Sequence, residues 1–130
     1  MTDATNHPGY RWGAVPIPPE SLSEGAHQEW INLAPIVYEL QTARTADLRA
    51  FRLLCEINAD ISALQDTIRK DGYTVEAGSG GRKGHPALAS LEKARRHAQS
   101  LLDRFGLLPG SEARRVDKYS SAKQHGYRYG

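Results

Sequence analysis

The residues in this chain whose type and placing could do chemistry are its Lys and Arg, and that chemistry is the neutralisation of a polyanion. Residues 82–130 hold eleven Lys/Arg against four Asp/Glu, a balance of +7, whereas residues 1–81 hold six against eleven, a balance of −5. A chain with a net charge of only +2 that is divided in this way points to a second half that meets a polyanion, with nucleic acid the commonest. The same charges on a purely solvated face would only keep the protein soluble. The candidate contacts fall into three groups. Arg82 and Lys83 sit in a Gly-rich loop; Lys93, Arg96 and Arg104 share one face of a helix, with Arg95 nearby; Arg114, Arg115, Lys118 and Lys123 lie in a Ser/Gly-containing tail with Arg128, interleaved with Tyr119, Tyr127 and Tyr129. Such a tail can bind phosphates and stack on bases, or serve as a disordered solubilising end. Arg44, Arg49 and Arg52 offer another surface where a helix-turn-helix would place recognition residues, or a solvated helix start.

Other chemistry finds less support. The stretch Gly78-Ser79-Gly80-Gly81-Arg82-Lys83-Gly84 invites a phosphate-loop reading, but Lys83 follows Arg82 and precedes Gly84, where G-x-x-x-x-G-K-[ST] needs Gly before and a hydroxyl after. The histidines at 7, 27, 85, 97 and 125 have no metal spacing, and the single Cys55 cannot complete a zinc site or form an internal disulfide. Cys55 follows Leu53-Leu54 and reads as a small buried hydrophobe in a reducing compartment. Glu56, Asp60 and Asp71 fall on the polar face of a helix, with no convergent acid pair. The sequence therefore gives no positive sign of an enzyme and calls for no cofactor or metal. No apolar run reaches the roughly 20 residues that cross a bilayer, and Met1 to Gly13 lacks the regions of a signal peptide, so the expected setting is intracellular.

The elements that must position these charges are helices. Pro8, Pro16, Pro18 and Pro19 make residues 1–22 a flexible arm, extended or disordered until it docks, with Tyr10, Trp12, Val15 and Ile17 as docking side chains. Ser23 is a good N-cap for a helix over residues 23–40, whose Trp30, Leu33, Ile36, Val37 and Leu40 recur at helical spacing; Pro35 should kink or split it. Thr45 can cap a second helix over 45–71, about 40 Å long, with Asp47 favourably placed near its positive end and Gly72 placed to end it. Tyr73-Thr74-Val75-Glu76 and the Gly-rich loop fit a small β-hairpin, after which Pro86 opens a third helix over 86–105 ended by Gly106.

The expected fold is all-α: a long antiparallel helical hairpin plus an N-terminal helix, a small β excursion, and a basic flexible tail from residue 113. Leu54, Ile57, Ile61, Leu64 and Ile68 alternate spacings of three and four, with Leu48 and Phe51 extending the stripe; Leu88, Leu91, Ala94, Ala98, Leu101 and Phe105 face them. Two helices leave apolar edges uncovered, which favours an oligomer. Leu54, Ile57, Ile61, Leu64, Ile68, Leu91, Ala98, Leu101 and Phe105 are accordingly the expected oligomerisation residues, in a helical domain over 23–112.

The order of features resembles the phage terminase small subunit family over about residues 17–115. The carriers are Ile17-Pro18-Pro19, then Ser23, Ala26 and Trp30, then Thr45, Asp47 and Leu48, a Gly-containing loop before a proline-led helix, and the ending Phe105-Gly106-Leu107-Leu108-Pro109-Gly110-Ser111-Glu112-Ala113-Arg114. The ending is similar to a family pattern Leu-Gly-Leu-Thr-Pro-Ser-Ser-Arg-Ala-Arg: Gly106, Leu107, Pro109, Ser111, Ala113 and Arg114 agree, and Leu108, Gly110 and Glu112 differ. The resemblance implies a ring-shaped homo-oligomer, with a nonamer as its best guess, that binds double-stranded viral DNA. It further implies recruitment and modulation of a large terminase subunit with ATPase and nuclease activities, in the cytoplasm of an infected bacterial host. Read from the residues alone, a helical adaptor that binds only protein and a small helix-turn-helix regulator both remain open.

Overall fold

The computed structural model describes residues 7–111 and is built from three helices, α1 (Glu24–Leu40), α2 (Leu48–Asp71) and α3 (Ala87–Arg104). A two-stranded antiparallel sheet, β1 (Thr74–Glu76) and β2 (Arg82–Gly84), lies between the last two helices. The Ser23 hydroxyl accepts from the Ala26 N–H at 3.2 Å, satisfying one orphan donor of the first turn of α1. Pro35 lies inside α1, which runs unbroken across it, so the expected split does not occur. Its exposed position explains this: the Ile31 carbonyl that loses its N–H partner is on the outward side, where water can serve it. The buried stripe of α1 is Ala26, Trp30, Ala34 and Val37, and Ile36 is left 48% exposed. Small residues bring α1 close to α2; a Cβ on Gly25 would sit 3.2 Å from that of Ala59.

Gln41, at φ 55°, turns the chain out of α1, and a 3-10 turn over Thr45–Asp47 precedes α2. The second helix thus begins at Leu48 rather than at Thr45, whose hydroxyl and N–H both donate to the Tyr10 carbonyl, at 3.3 and 2.8 Å. Asp47, the residue before α2, makes no side-chain cap bond to that helix; its carboxylate instead closes the 3-10 turn by accepting from the Arg44 N–H at 2.8 Å. Gly72, at φ +86°, ends α2 as expected. The sheet follows with Thr74 opposite Gly84, Val75 opposite Lys83 and Glu76 opposite Arg82. His85 closes the excursion: its Nδ1 accepts from the Ala87 N–H at 3.0 Å, so Nε2 carries the proton that it donates to Asp71 at 2.9 Å.

The ends of α2 and α3 fix their direction. Asp71, at the end of α2, meets His85 just before α3, while Phe51, near the start of α2, stacks edge-on at 5.8 Å with Phe105, just past the end of α3. The two helices are antiparallel. Phe51 also receives Trp12 at 5.2 Å and Trp30 at 4.8 Å, both near-perpendicular, so one ring gathers the arm, α1 and the end of α3. Trp12 is 5% exposed; its backbone N–H donates to Ala43 O and its indole N–H to Arg44 O. Of the four docking side chains expected in the arm, Trp12 therefore docks, while Tyr10, Val15 and Ile17 are exposed, and the core reaches N-terminally past residue 23.

The expected oligomerisation residues sit mainly inside this protomer. Leu54, Ile57, Ile68, Leu91, Ala98 and Phe105 are buried within the single chain, and Leu101 packs against the core cluster. Within the protomer they hold α3 to α2. Ile61 and Leu64, half-buried, are the members of the set that keep an open side away from that cluster.

Candidate nucleic-acid interface

The amphipathic pattern of α3 buries Leu91 and Ala98 and so turns Lys93, Arg96 and Arg104 outward, along one exposed strip. Arg96 pairs with Glu92 at 3.3 Å and Arg104 with Asp47 at 2.6 Å. Lys93 and Arg95 make no ion pair among the described residues, and they fall on opposite sides of the hairpin. Lys93 lines a groove with Asp60, Leu64 and His97, whereas Arg95 lines one with Arg69, Ile68 and Tyr73. The strip therefore gathers Lys93, Arg96 and Arg104 and leaves Arg95 apart.

Two further cations project from β2. Arg82 is anchored, donating to the Thr74 hydroxyl at 2.8 Å and to the Thr74 carbonyl at 2.6 Å; Lys83 stands exposed opposite Val75. A guanidinium held by one edge keeps donors for a phosphate on the other. Arg114, Arg115, Lys118 and Lys123 lie outside the described residues, as do the tail tyrosines.

Arg44, Arg49 and Arg52 do not form one patch of equal cations. Arg52 donates to the Ser21 hydroxyl at 2.9 Å and lies 3.6 Å from Glu56, while Arg44 contributes backbone groups to the Trp12 and Asp47 contacts. Arg49 and Arg52 instead border a groove of about 370 Å³ floored by Pro16, Pro19, Trp30 and Leu48, with Ile17 at its lip. Sequence reasoning did not see this groove, because the arm that forms one wall has no periodicity to announce where it packs.

The chain ending Phe105 to Ser111 proves structural. Gly106, at φ +73°, donates to Asp103 O at 3.0 Å and Leu107 donates to Leu102 O at 2.8 Å, the paired bonds that satisfy the last carbonyls of a helix. Leu107 packs back on the core, and Ser111, 3% exposed, donates its hydroxyl to Leu108 O. These residues terminate α3 and seal the hairpin against α1, where the Thr42 hydroxyl donates to Phe105 O at 2.7 Å.

Cys55 is fully buried, and its thiol is pushed up from 9.0 to about 12, first by burial and then by the negative charges of Glu29 and Glu56. Such a thiol is a poor nucleophile. Among the described residues no group of three or more His, Cys, Asp or Glu is gathered to hold a metal ion, and no helix is long and apolar enough to cross a membrane.

A protein-family model described as phage terminase, small subunit matches residues 26–120, a span that takes in most of α1, all of α2 and α3 and the sheet between them. No curated protein and no solved structure matches the chain.

Proposed function

The chain belongs to the phage terminase small subunit family and has a role in phage DNA packaging, and from that premise we propose that it is a non-catalytic DNA-binding subunit. It binds double-stranded viral DNA as a ring homo-oligomer, for which nine copies is the working number. In that form it recruits the large terminase subunit, the partner that carries the ATPase and nuclease, and regulates it at the start of packaging in the cytoplasm of the infected host. The observation that carries the DNA reading is the segregation of charge. An outward strip of Lys93, Arg96 and Arg104 on α3 and the exposed Arg82 and Lys83 on β2 belong to the half of the sequence with a balance of +7. Arg114, Arg115, Lys118 and Lys123 extend this basic set in sequence, and Arg95 adds a cation on the other side of the hairpin. Phosphate contacts of this kind position a duplex without reading bases, and their strength comes from counterion release.

The test is fluorescence anisotropy of the full-length protein on labelled duplex at several salt concentrations. The expected result is a dissociation constant that rises steeply with salt, with a log–log slope of about 0.9 per phosphate neutralised. Binding that ignores salt contradicts the electrostatic interface. Absence of binding at low salt favours a protein-only adaptor, and a dimer that prefers a palindrome favours a helix-turn-helix regulator.

A further inference from the structure

Most of the residues that would most simply join copies are consumed within the protomer, Ile61 and Leu64 apart, which directs attention to other apolar surfaces. Of the exposed large apolar side chains among the described residues, Tyr10, Val15, Ile17, Ile31 and Ile36 lie on the arm and α1, and Leu53 and Tyr73 lie apart. Ile31, 47% exposed, and Ile36, 48% exposed, flank the outward side of α1, and that helix carries Glu24, Glu29 and Glu39 with no Lys or Arg. Pro35 stands between them on the same exposed side. Around the arm, Ile17 is 88% exposed at the lip of the groove floored by Pro16, Pro19, Trp30 and Leu48. The only charged side chains lining that groove among the described residues are Arg49 and Arg52. Arg52 is already steadied by Ser21 and Glu56, whereas Arg49 makes no ion pair among the described residues.

One surface is thus apolar and acidic, the other apolar and basic, and both lie on the same chain. We infer that copies join through a heterologous contact in which the Ile31/Ile36 face of α1 on one copy, with Glu39, seats in the groove of Ile17, Leu48 and Arg49 on the next. The inference rests on the assembly proposed above for the presence of a second copy. Two unlike surfaces on one chain propagate head to tail and close into a ring when the rotation between copies allows, which an isologous patch cannot do beyond a pair. A sister copy is favoured over nucleic acid because the groove floor is hydrocarbon, which rewards an apolar side chain and offers a phosphate only the two rim cations Arg49 and Arg52. A separate protein partner would need the same acidic-apolar pairing that α1 already supplies.

Ile17→Asp and Ile36→Asp each place a carboxylate on an exposed position, so circular dichroism should show both variants folded. Native mass spectrometry of the full chain is expected to give a ring for the wild type and single copies for each variant. An equimolar mixture of the two variants should give a dimer and nothing larger, because each supplies the surface that the other lacks. Variants that retain the wild-type mass, or a mixture that stays monomeric, overturn the contact while leaving a wild-type ring in place. Loss of DNA affinity by Ile17→Asp at unchanged mass overturns it in favour of nucleic acid in the groove. A wild type that is itself a single copy removes the assembly reading and this contact together.

Discussion

The two ends of the α2–α3 hairpin are made by the same pair of helices and differ in what covers them. At the base, Phe51 is enclosed by Trp12, Trp30 and Phe105, and α1 lies across α2. At the far end, Ile61 and Leu64 keep open sides, Tyr73 is 74% exposed, and the cover among the described residues is a sheet of three residues a strand. The base therefore carries most of the buried side chains, and the far end, held by Ile68 and Leu91, carries exposed cations, Arg82, Lys83, Lys93 and Arg95 among them. A helical hairpin anchored at one end can hold a polar, charged surface away from its core without filling that surface with apolar side chains.

The sharpest way to break this contrast is to hollow each end in turn. Phe51→Ala should cost about 3–5 kcal/mol, and Leu64→Ala less, about 1–2 kcal/mol, because that side chain is already partly wet. Urea denaturation compares them directly, and equal losses would place the core elsewhere. Next in size is Gly106→Ala, which forces a Cβ into the left-handed region and should lower stability by about 1–2 kcal/mol in the same assay. An unchanged midpoint would mean that the turn after α3 relaxes freely. Asp47→Ala removes both the acceptor for the Arg44 N–H and the partner of Arg104. Its expected cost is about 1 kcal/mol, seen as a fall in thermal midpoint, because half-exposed ion pairs add little to a lost cap.

Much of the hairpin was legible because its punctuation is local. Ser23, Gly72 and Gly106 each do what their residue type predicts, so the helix boundaries follow from single residues. The heptad spacing of Leu54, Ile57 and Ile68 likewise predicts burial, and they are buried. What spacing could not say is whether a stripe is covered by its own chain or by another, and for most of that stripe α3 supplies the answer. Ile36 was drawn into the α1 core by spacing alone, whereas Gly25, Ala26, Ala34 and Ala59 allow a close approach that narrows the stripe and leaves Ile36 outside. Thr45 has the residue type of a cap, but its hydroxyl turns to the Tyr10 carbonyl of the arm, a tertiary contact that no local pattern announces. Trp12 was one of four aromatic or apolar candidates in an arm without period, and only its contacts with Ala43 and Arg44, about thirty residues on, single it out. Of the basic candidates, composition gave the half of the chain, but only the helix geometry separates Arg95 from the Lys93, Arg96 and Arg104 strip.

Cys55 offers a milder probe of the base. Because the folded state holds its thiol protonated up to about pH 12 against an ordinary 9.0, burial of the thiol contributes stability fully below pH 9 and loses it as the pH rises toward 12. At pH 8 the native protein should therefore resist iodoacetamide, while the urea-unfolded chain reacts readily. Fast native alkylation would show that the base opens far more often than its packing implies.

The far end of the hairpin is proposed to bind DNA through side chains that contribute little to stability. The deciding measurement pairs salt-dependent anisotropy with thermal unfolding for Arg82→Gln, Lys83→Gln and Lys93→Gln combined in one chain. The expected outcome is a thermal midpoint close to wild type and a log–log salt slope reduced by about 2.7, three phosphates at about 0.9 each. An unchanged slope and affinity would contradict it, and would move the duplex off the hairpin altogether.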